Sequence, residues 1–284
     1  LQSAFFMLNI DLHCHSNVSD GTLLPAAVAA RAKANGVDVW ALTDHDEISG
    51  IAGARAAAEA LALRYVAGVE ISITWAGETV HIVGLQIDET NPKLVQGLST
   101  VRNGREQRGR DIAAQLAAIG IPDAFEGALR HVGNPDLMSR THFARYMVEI
   151  GICANSNEVF RNYLVEGKPG YVPHRWATLA QAIDWITGAG GVPVIAHPGR
   201  YKFSLLQFGA LFDEFKQLGG DAIEVVTGSH TPEQYDEYAK VAKRYGFKGS
   251  RGSDFHSPGE SRIDLGALPP LPAGVTPVWH NWDL

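Results

Sequence analysis

Short apolar, β-branched runs alternate with Ala- and Leu-rich stretches of helical spacing, and this alternation constrains the chain more than any other feature. The runs cover residues 8–12, 37–42, 65–71, 80–85, 192–195, 222–226 and, more weakly, 249–253. Helical spacing follows most of them, at 25–35, 49–63, 178–188, 205–218 and 231–245. The first of these opens on Pro25 and stops at Gly36, and the last opens on Thr231-Pro232, an N-cap followed by proline at the first helical position. Such alternation implies parallel strands joined by crossover helices. Seven strands without a dinucleotide-binding glycine fingerprint favour an α/β barrel over an open sheet.

The alternation breaks between about residues 91 and 173, where the spacing is helical throughout, at 92–119, 123–130, 139–150 and 155–166. This reads as a helical cap, residues 99–169, inserted into a barrel made of 7–98 and 170–284. Residues 101–175 carry ten Lys/Arg against eight Asp/Glu, whereas the whole chain has a net charge of −7. A less acidic cap over a carboxylate-rich site suits an anionic substrate, although a solvated helical surface would look the same. The Pro- and Trp-rich stretch 269–284 reads as an irregular strap.

Ligand-type side chains recur where these strands end. In His13-Cys14-His15, positions i and i+2 of a strand, both imidazoles share a face. Asp20 follows in a Ser/Asp/Gly loop and could fold back toward them. Strand two ends in Asp44-His45-Asp46, where either aspartate could orient the imidazole. Strand three ends in Glu70, costly among Val and Ile unless it is paired or bound to a cation. Strand four begins with His81, strand five ends in Ala196-His197-Pro198, strand six carries Glu224, and strand seven ends in Asp254-Phe255-His256. Each residue alone reads equally as a hydrogen-bonded core group. Together they put His, Asp or Glu at the carboxyl end of nearly every strand, the end that carries the active site in barrels of this kind. So many ionisable groups on one rim call for bound cations.

The ordered set HxH…D, DH, E, H, AHP and SDxH resembles the PHP (polymerase and histidinol phosphatase) family over roughly residues 7–90 and 172–268. The resemblance implies a distorted (β/α)7 barrel holding two or three divalent metals. It implies a first site from His13, His15, Glu70 and Asp254, a second from Asp20, His45 and His256, and a third from Glu70, His81 and His197, with Glu70 bridging. Ser139-Arg140-Thr141-His142 and Gly167-Lys168-Pro169 within the insert further resemble a bacterial branch, sometimes labelled amidohydrolase. Its members act on nucleoside 3′,5′-bisphosphates and on the 5′ ends of short RNAs.

From these residues the expected reaction is metal-dependent phosphoester hydrolysis, removing the 3′-phosphate of a nucleoside bisphosphate and acting on short RNA. Imidazole and carboxylate ligands suit manganese, with iron or zinc as alternatives. Glu70 and Asp254 are expected in the catalytic centre, and His230 is a candidate general acid or substrate contact. Arg140 and His142, in the first turn of a predicted helix capped by Ser139, are expected with Lys168 to seat the second phosphate. Arg200, just after His197-Pro198-Gly199, lies close to the metals. Histidinol-phosphate hydrolysis is the alternative within the same chemistry, but it would want acidic residues in the cap. Amide hydrolysis is the alternative outside it, but no lysine closes a strand here. The net charge argues against coating long nucleic acid, and no apolar run reaches the roughly 18 residues of a membrane helix. Two cysteines make no disulfide framework, and no export signal is visible, so a cytoplasmic setting is expected. Residues 1–6, ahead of Met7, read as a tag remnant.

Overall fold

A computed structural model describes residues 8–284, so the expected tag remnant lies outside the described residues. Seven strands run in the order of the chain around one sheet. They are β1 (Ile10–Asp11), β2 (Val39–Leu42), β3 (Arg64–Trp75), β4 (Glu78–Leu85), β5 (Val192–Ile195), β6 (Ala222–Thr227) and β7 (Lys248–Gly252). The last strand returns to the first: Leu12 N–H donates to the Arg251 carbonyl at 3.0 Å, and Asp254 N–H to the His13 carbonyl at 2.8 Å. The sheet is therefore a nearly closed barrel. Every residue of β2 and β6 is buried, as strands with side chains on both packed faces must be.

The all-parallel expectation fails at one strand. β4 pairs antiparallel with both β3 and β5, while the other pairs are parallel. The physical reason is local. Ala76-Gly77 both have positive φ, so the chain reverses in a two-residue hairpin that pairs Trp75 with Glu78 and leaves no room for a crossover helix.

The helices around the barrel are α1 (Pro25–Ala34), α2 (Ile51–Ala60), α8 (Leu179–Gly188), α9 (Leu205–Gln217) and α10 (Pro232–Tyr245). Capping boxes start the last three, Thr178 with Gln181, Ser204 with Gln207 and Thr231 with Gln234. Gly246, at φ +69°, closes α10 in the left-handed region. Residues 269–284 run beneath the sheet, where Val278 N–H donates to the Gly249 carbonyl at 2.9 Å and Val278 is buried.

The insert is helical, with α3 (Pro92–Arg102), α4 (Arg105–Ala118), α5 (Ala124–Leu129), α6 (Arg140–Glu149) and α7 (Ser156–Val159). The helix expected over 92–119 is two helices, because Gly104 at φ +96° breaks it. α3 buries Leu94 and Leu98 in the barrel's core. From Ile112 onward the insert builds a second core around Phe143, Met147 and Leu164. The helix expected over 155–166 gives way after Val159 to a single π-helical turn, Phe160–Leu164.

Candidate metal centre

The rim where β1, β2, β5 and β7 end gathers the expected ligands, and Glu70, expected to end strand three, instead lies midway along β3, which continues to Trp75, beside His45 through a parallel bridge. His81 reaches the rim by a different route: it lies toward the start of β4, and because β4 is antiparallel its start is at the same rim. Two ligands sit on strained backbone, His197 at φ 28° and Asp254 at φ 55°, a cost that functional positions tolerate when the surroundings hold them.

Glu70 is at the centre and fully buried. Its Oε2 lies 3.2 Å from His13 Nε2, 3.2 Å from His15 Nε2 and 3.0 Å from His45 Nδ1. Its Oε1 lies 3.0 Å from His81 Nδ1 and 3.0 Å from His197 Nε2. Asp254 Oδ1 approaches His15 Nε2 at 3.2 Å, and Asp20 Oδ1 approaches His256 Nε2 at 3.2 Å and His45 Nε2 at 3.7 Å. Donor atoms of His13, His15, Glu70 and Asp254 form one compact group, those of His15, Asp20, His45 and His256 a second, and those of His45, Glu70 and His81 a third. Spacings near 3 Å are the edges of a coordination polyhedron with bonds of about 2.1 Å. Several of these atoms, among them Glu70 Oε2, His45 Nδ1 and His81 Nδ1, are buried yet make no hydrogen bond. Orphaned donors facing one another are what a set of divalent cations would satisfy, so the residues fit the group.

The electrostatics divide the ligands. Burial opposes charge on the imidazoles of His13, His45, His81, His197 and His256. Glu224 and Glu70 nevertheless hold His13 well above its ordinary range, and Glu70 and Asp20 hold His45 up at about 9. Asp20 likewise raises His256. Burial wins at His81, which is lowered, and at His197, which burial and Arg200 push down to about 3. The facing imidazoles hold Glu70, Asp20 and Asp254 well below the usual carboxylate range despite burial.

Supporting residues fix the ligands. Glu224 Oε1 lies 2.7 Å from His13 Nδ1, and its Oε2 accepts from the His197 N–H at 2.6 Å. One carboxylate thus orients an imidazole and a backbone turn together. Glu224→Gln is expected to weaken metal binding by about 10- to 100-fold. A metal titration that gives the same affinity for the variant would remove this role. Neither aspartate beside His45 orients it, contrary to expectation. Asp44 accepts from Ser16 N–H at 2.7 Å, from Ser16 Oγ at 2.7 Å and from Ser19 Oγ at 2.6 Å, and so holds the loop that carries Asp20. Asp46 accepts from Ser72 and pairs with Arg105 of α4.

The expected substrate residues do not all converge. Arg140 and Arg200 line a pocket of about 140 Å³ together with Asp20, His45, His81 and His256. His142 is fully buried; its Nδ1 accepts from the Ser139 N–H at 3.0 Å, so it caps α6 instead of facing the pocket. Lys168 is exposed and lines no part of that pocket. His230 is also buried: Nδ1 donates to the Val225 carbonyl at 3.1 Å and Nε2 accepts from the Gly199 N–H at 2.9 Å. Both ring nitrogens are taken, so in this geometry His230 holds the turn of His197 and Arg200 and has no proton to offer a substrate.

Two arginines escaped the sequence reading. Arg105 and Arg108 of α4 line the same pocket, each over the Trp176 ring, at 4.5 Å and 5.2 Å from its centroid. A partial signal was there, since Arg105 and Arg108 are three apart on one face of α4. Neither Arg108 nor Arg140 has a carboxylate partner among the described residues. Burial, with Arg140 and Arg105 close by, pushes the Arg108 guanidinium down to about 9.

A family model described as PHP domain matches residues 11–186. The chain belongs to the PHP domain family. It is 48% identical to a 3′,5′-nucleoside bisphosphate phosphatase of Chromobacterium violaceum, over 98% of this chain and 97% of that one. It is 42% identical to a 5′-3′ exoribonuclease of Haemophilus influenzae, over 96% of this chain and 98% of that one. A solved structure of an amidohydrolase from Chromobacterium violaceum, with bound sulfate, superposes with a TM-score of 0.93 at 48% identity, covering 95% of this chain and 94% of that one. PHP membership and the gathered donors make this chain a metal-dependent phosphoester hydrolase. No described helix is long and apolar enough to cross a membrane.

Proposed function

We propose that the chain removes the 3′-phosphate of nucleoside 3′,5′-bisphosphates, and that the same centre acts on 5′-phosphorylated short RNA. The observation that carries this reading is a pair of guanidiniums without carboxylates, the buried Arg108 and the half-buried Arg140, in the pocket that also contains Asp20, His45 and His81. A second phosphate on the substrate supplies the missing counter-charge. The names of the bisphosphate phosphatase and exoribonuclease relatives support it. An amino alcohol such as histidinol would meet the wrong sign of charge there.

Three sites are assigned, to His13, His15, Glu70 and Asp254, to Asp20, His45 and His256, and to Glu70, His81 and His197. Divalent ions bound there, manganese for preference, supply Lewis acidity at the phosphoryl group. The chain's own residues do the rest. Arg105, Arg108 and Arg140 bind the remote phosphate and align the nucleotide. Thr141 Oγ1, which donates to Asp20 Oδ2 at 3.0 Å, ties α6 to the centre. Arg200 Nη1, 3.2 Å from Asp254 Oδ2, is half exposed and free to turn toward the reacting phosphate. Interactions with the non-reacting phosphate raise selectivity for bisphosphates over monophosphates. A cytoplasmic setting fits, since Cys14 and Cys153 are free thiols in different cores.

The experiment is a phosphate-release panel with Mn²⁺. Adenosine 3′,5′-bisphosphate is expected to turn over and histidinol phosphate is not. Arg108→Ala is expected to lower kcat/KM for the bisphosphate by about 10²-fold and for adenosine 3′-monophosphate by much less. Equal losses on the two substrates would move the remote-phosphate seat elsewhere, and ammonia release from an amide without phosphate release would defeat the reading outright.

A further inference from the structure

The arginine pocket accounts for only one side of the centre. On the other side a groove of about 650 Å³ runs between α6 and α7 on the insert and the loops after β6 and β7. It is more than four times the volume of the arginine pocket, at about 140 Å³. The two cavities share Thr141, Phe160, Arg200 and His256, so they meet at the reacting centre. Their chemistry differs. The pocket is strongly cationic, whereas the groove offers neutral donors such as Asn155, Asn157 and Ser229, with Arg262 along its wall. Ser229 Oγ is buried and has no hydrogen-bond partner. Glu260 in the same groove is neutralised by Arg145, at 2.7 Å.

We infer that this groove seats the nucleotides that continue 3′ of the reacting phosphate, and that Phe160 is the residue that sets the preference for strands over mononucleotides. The inference rests on the phosphoesterase reading above. A mononucleotide bisphosphate needs the arginine pocket and the centre alone, and a groove of this size would then have nothing to hold. A strand with its 5′-phosphate in the pocket and its first internal phosphate at the centre must leave through the groove. Phe160 stands at that junction and opens the π-helical turn, an irregularity concentrated at functional sites. An aromatic face there stacks any base, and neutral amides and hydroxyls with one flanking arginine suit sequence-tolerant binding of a single strand.

The chemistry closes on itself. Water adds to the internal phosphorus, the P–O3′ bond breaks, and O3′ leaves with a proton. The released nucleotide keeps its 5′-phosphate. The shortened strand now begins with the phosphate just attacked, and this new 5′-phosphate fits the arginine pocket for the next round. The bond broken is the same one broken in a 3′,5′-bisphosphate.

Ala154 lines the groove but not the pocket and is exposed, so Ala154→Trp narrows the groove without touching either core. With the full chain and Mn²⁺, Ala154→Trp is expected to lower kcat/KM on a 5′-phosphorylated pentaribonucleotide by about tenfold and on adenosine 3′,5′-bisphosphate by less than about twofold. Phe160→Ala is expected to raise KM for the pentaribonucleotide by about tenfold, more than for the bisphosphate, with Phe160→Tyr restoring it. Parallel losses on both substrates, no loss on either, or a wild-type chain that turns over the bisphosphate but not the strand would each overturn the inference and leave the phosphatase reading standing. A wild-type chain that degrades the strand but not the bisphosphate would overturn the phosphatase reading, and Ala154→Trp on the strand would still decide the groove.

Discussion

Replacing Glu70 with glutamine is expected to lower phosphoester turnover by about 10³-fold or more, the largest effect of any single substitution in this chain. Its two oxygens serve different ligand groups, His13, His15 and His45 on one side and His81 and His197 on the other. An amide has nearly the same shape but carries no charge, and one of its two ends becomes a donor. It therefore turns an N–H toward either His45 or His81 and cannot bridge. Loss of about 4 kcal/mol of charge stabilisation at the phosphoryl group corresponds to about 10³ in rate. The same substitution should leave the protein with fewer bound ions, read by elemental analysis after loading and desalting. The fold should survive, because the space around residue 70 is filled as before. A Glu70→Gln protein with full metal content and turnover within tenfold of wild type would mean that Glu70 is a core carboxylate paired with histidines and not the bridge.

Most of this centre was legible in the sequence because its ligands cluster at and just beyond strand ends. His13 with His15 and Asp254 with His256 are i, i+2 pairs, but both lie just past their strands, and the single bridge between Cys14 and Phe255, the middle residue of each pair, holds them together. His45 and His197 follow apolar runs, so the end of the run locates them, whereas Glu70 lies inside its run and midway along β3. His81 was found as a residue but for the wrong geometric reason, since the hairpin at Ala76-Gly77 reverses β4 and brings its start to the rim. Local sequence carries that reversal only as one short Ala-Gly turn. The substrate side was less legible. His142 and His230 looked exposed to chemistry because of their neighbours in sequence, yet a capping interaction claims one and the Gly199 and Val225 backbone claims the other. Arg105 and Arg108 were overlooked because their role depends on how α4 lies against Asp46 and Trp176, which no spacing rule within α4 encodes.

Metal loading is expected to release protons, and the stability gained on loading is expected to grow between about pH 7 and pH 9 while the metal-free protein loses stability. In the metal-free protein, folding raises the imidazoles of His13, His45 and His256, with His45 at about 9. A group raised in the folded state stabilises it fully below its unfolded pKa of roughly 6.5 and loses that contribution as pH climbs through the folded value. His81 and His197 are shifted the other way, and their contribution is complete once pH exceeds the unfolded value, so above about pH 7 they add nothing further to the slope. The carboxylates Asp20, Glu70 and Asp254 are held low, and their contribution disappears only as pH falls below the ordinary carboxylate range of roughly 4. The metal-free Tm should therefore fall from about pH 7 to pH 9. A bound cation needs the unprotonated imidazoles, so at fixed Mn²⁺ concentration its binding strengthens over the same range and the loaded Tm rises relative to the free protein. The sites should also differ. The ions held by His13, His45 and His256 must displace protons, whereas one held between His81 and His197 meets imidazoles that are already neutral. Calorimetric titration of Mn²⁺ at pH 7 in buffers of different ionisation enthalpy separates the two classes. The expected result is proton release as the sites holding His13, His45 and His256 fill and almost none as the site of His81 and His197 fills. Equal proton release at every step, or a metal-free Tm that rises with pH in this window, would show that the histidines near Glu70 are not charged as a group in the empty centre.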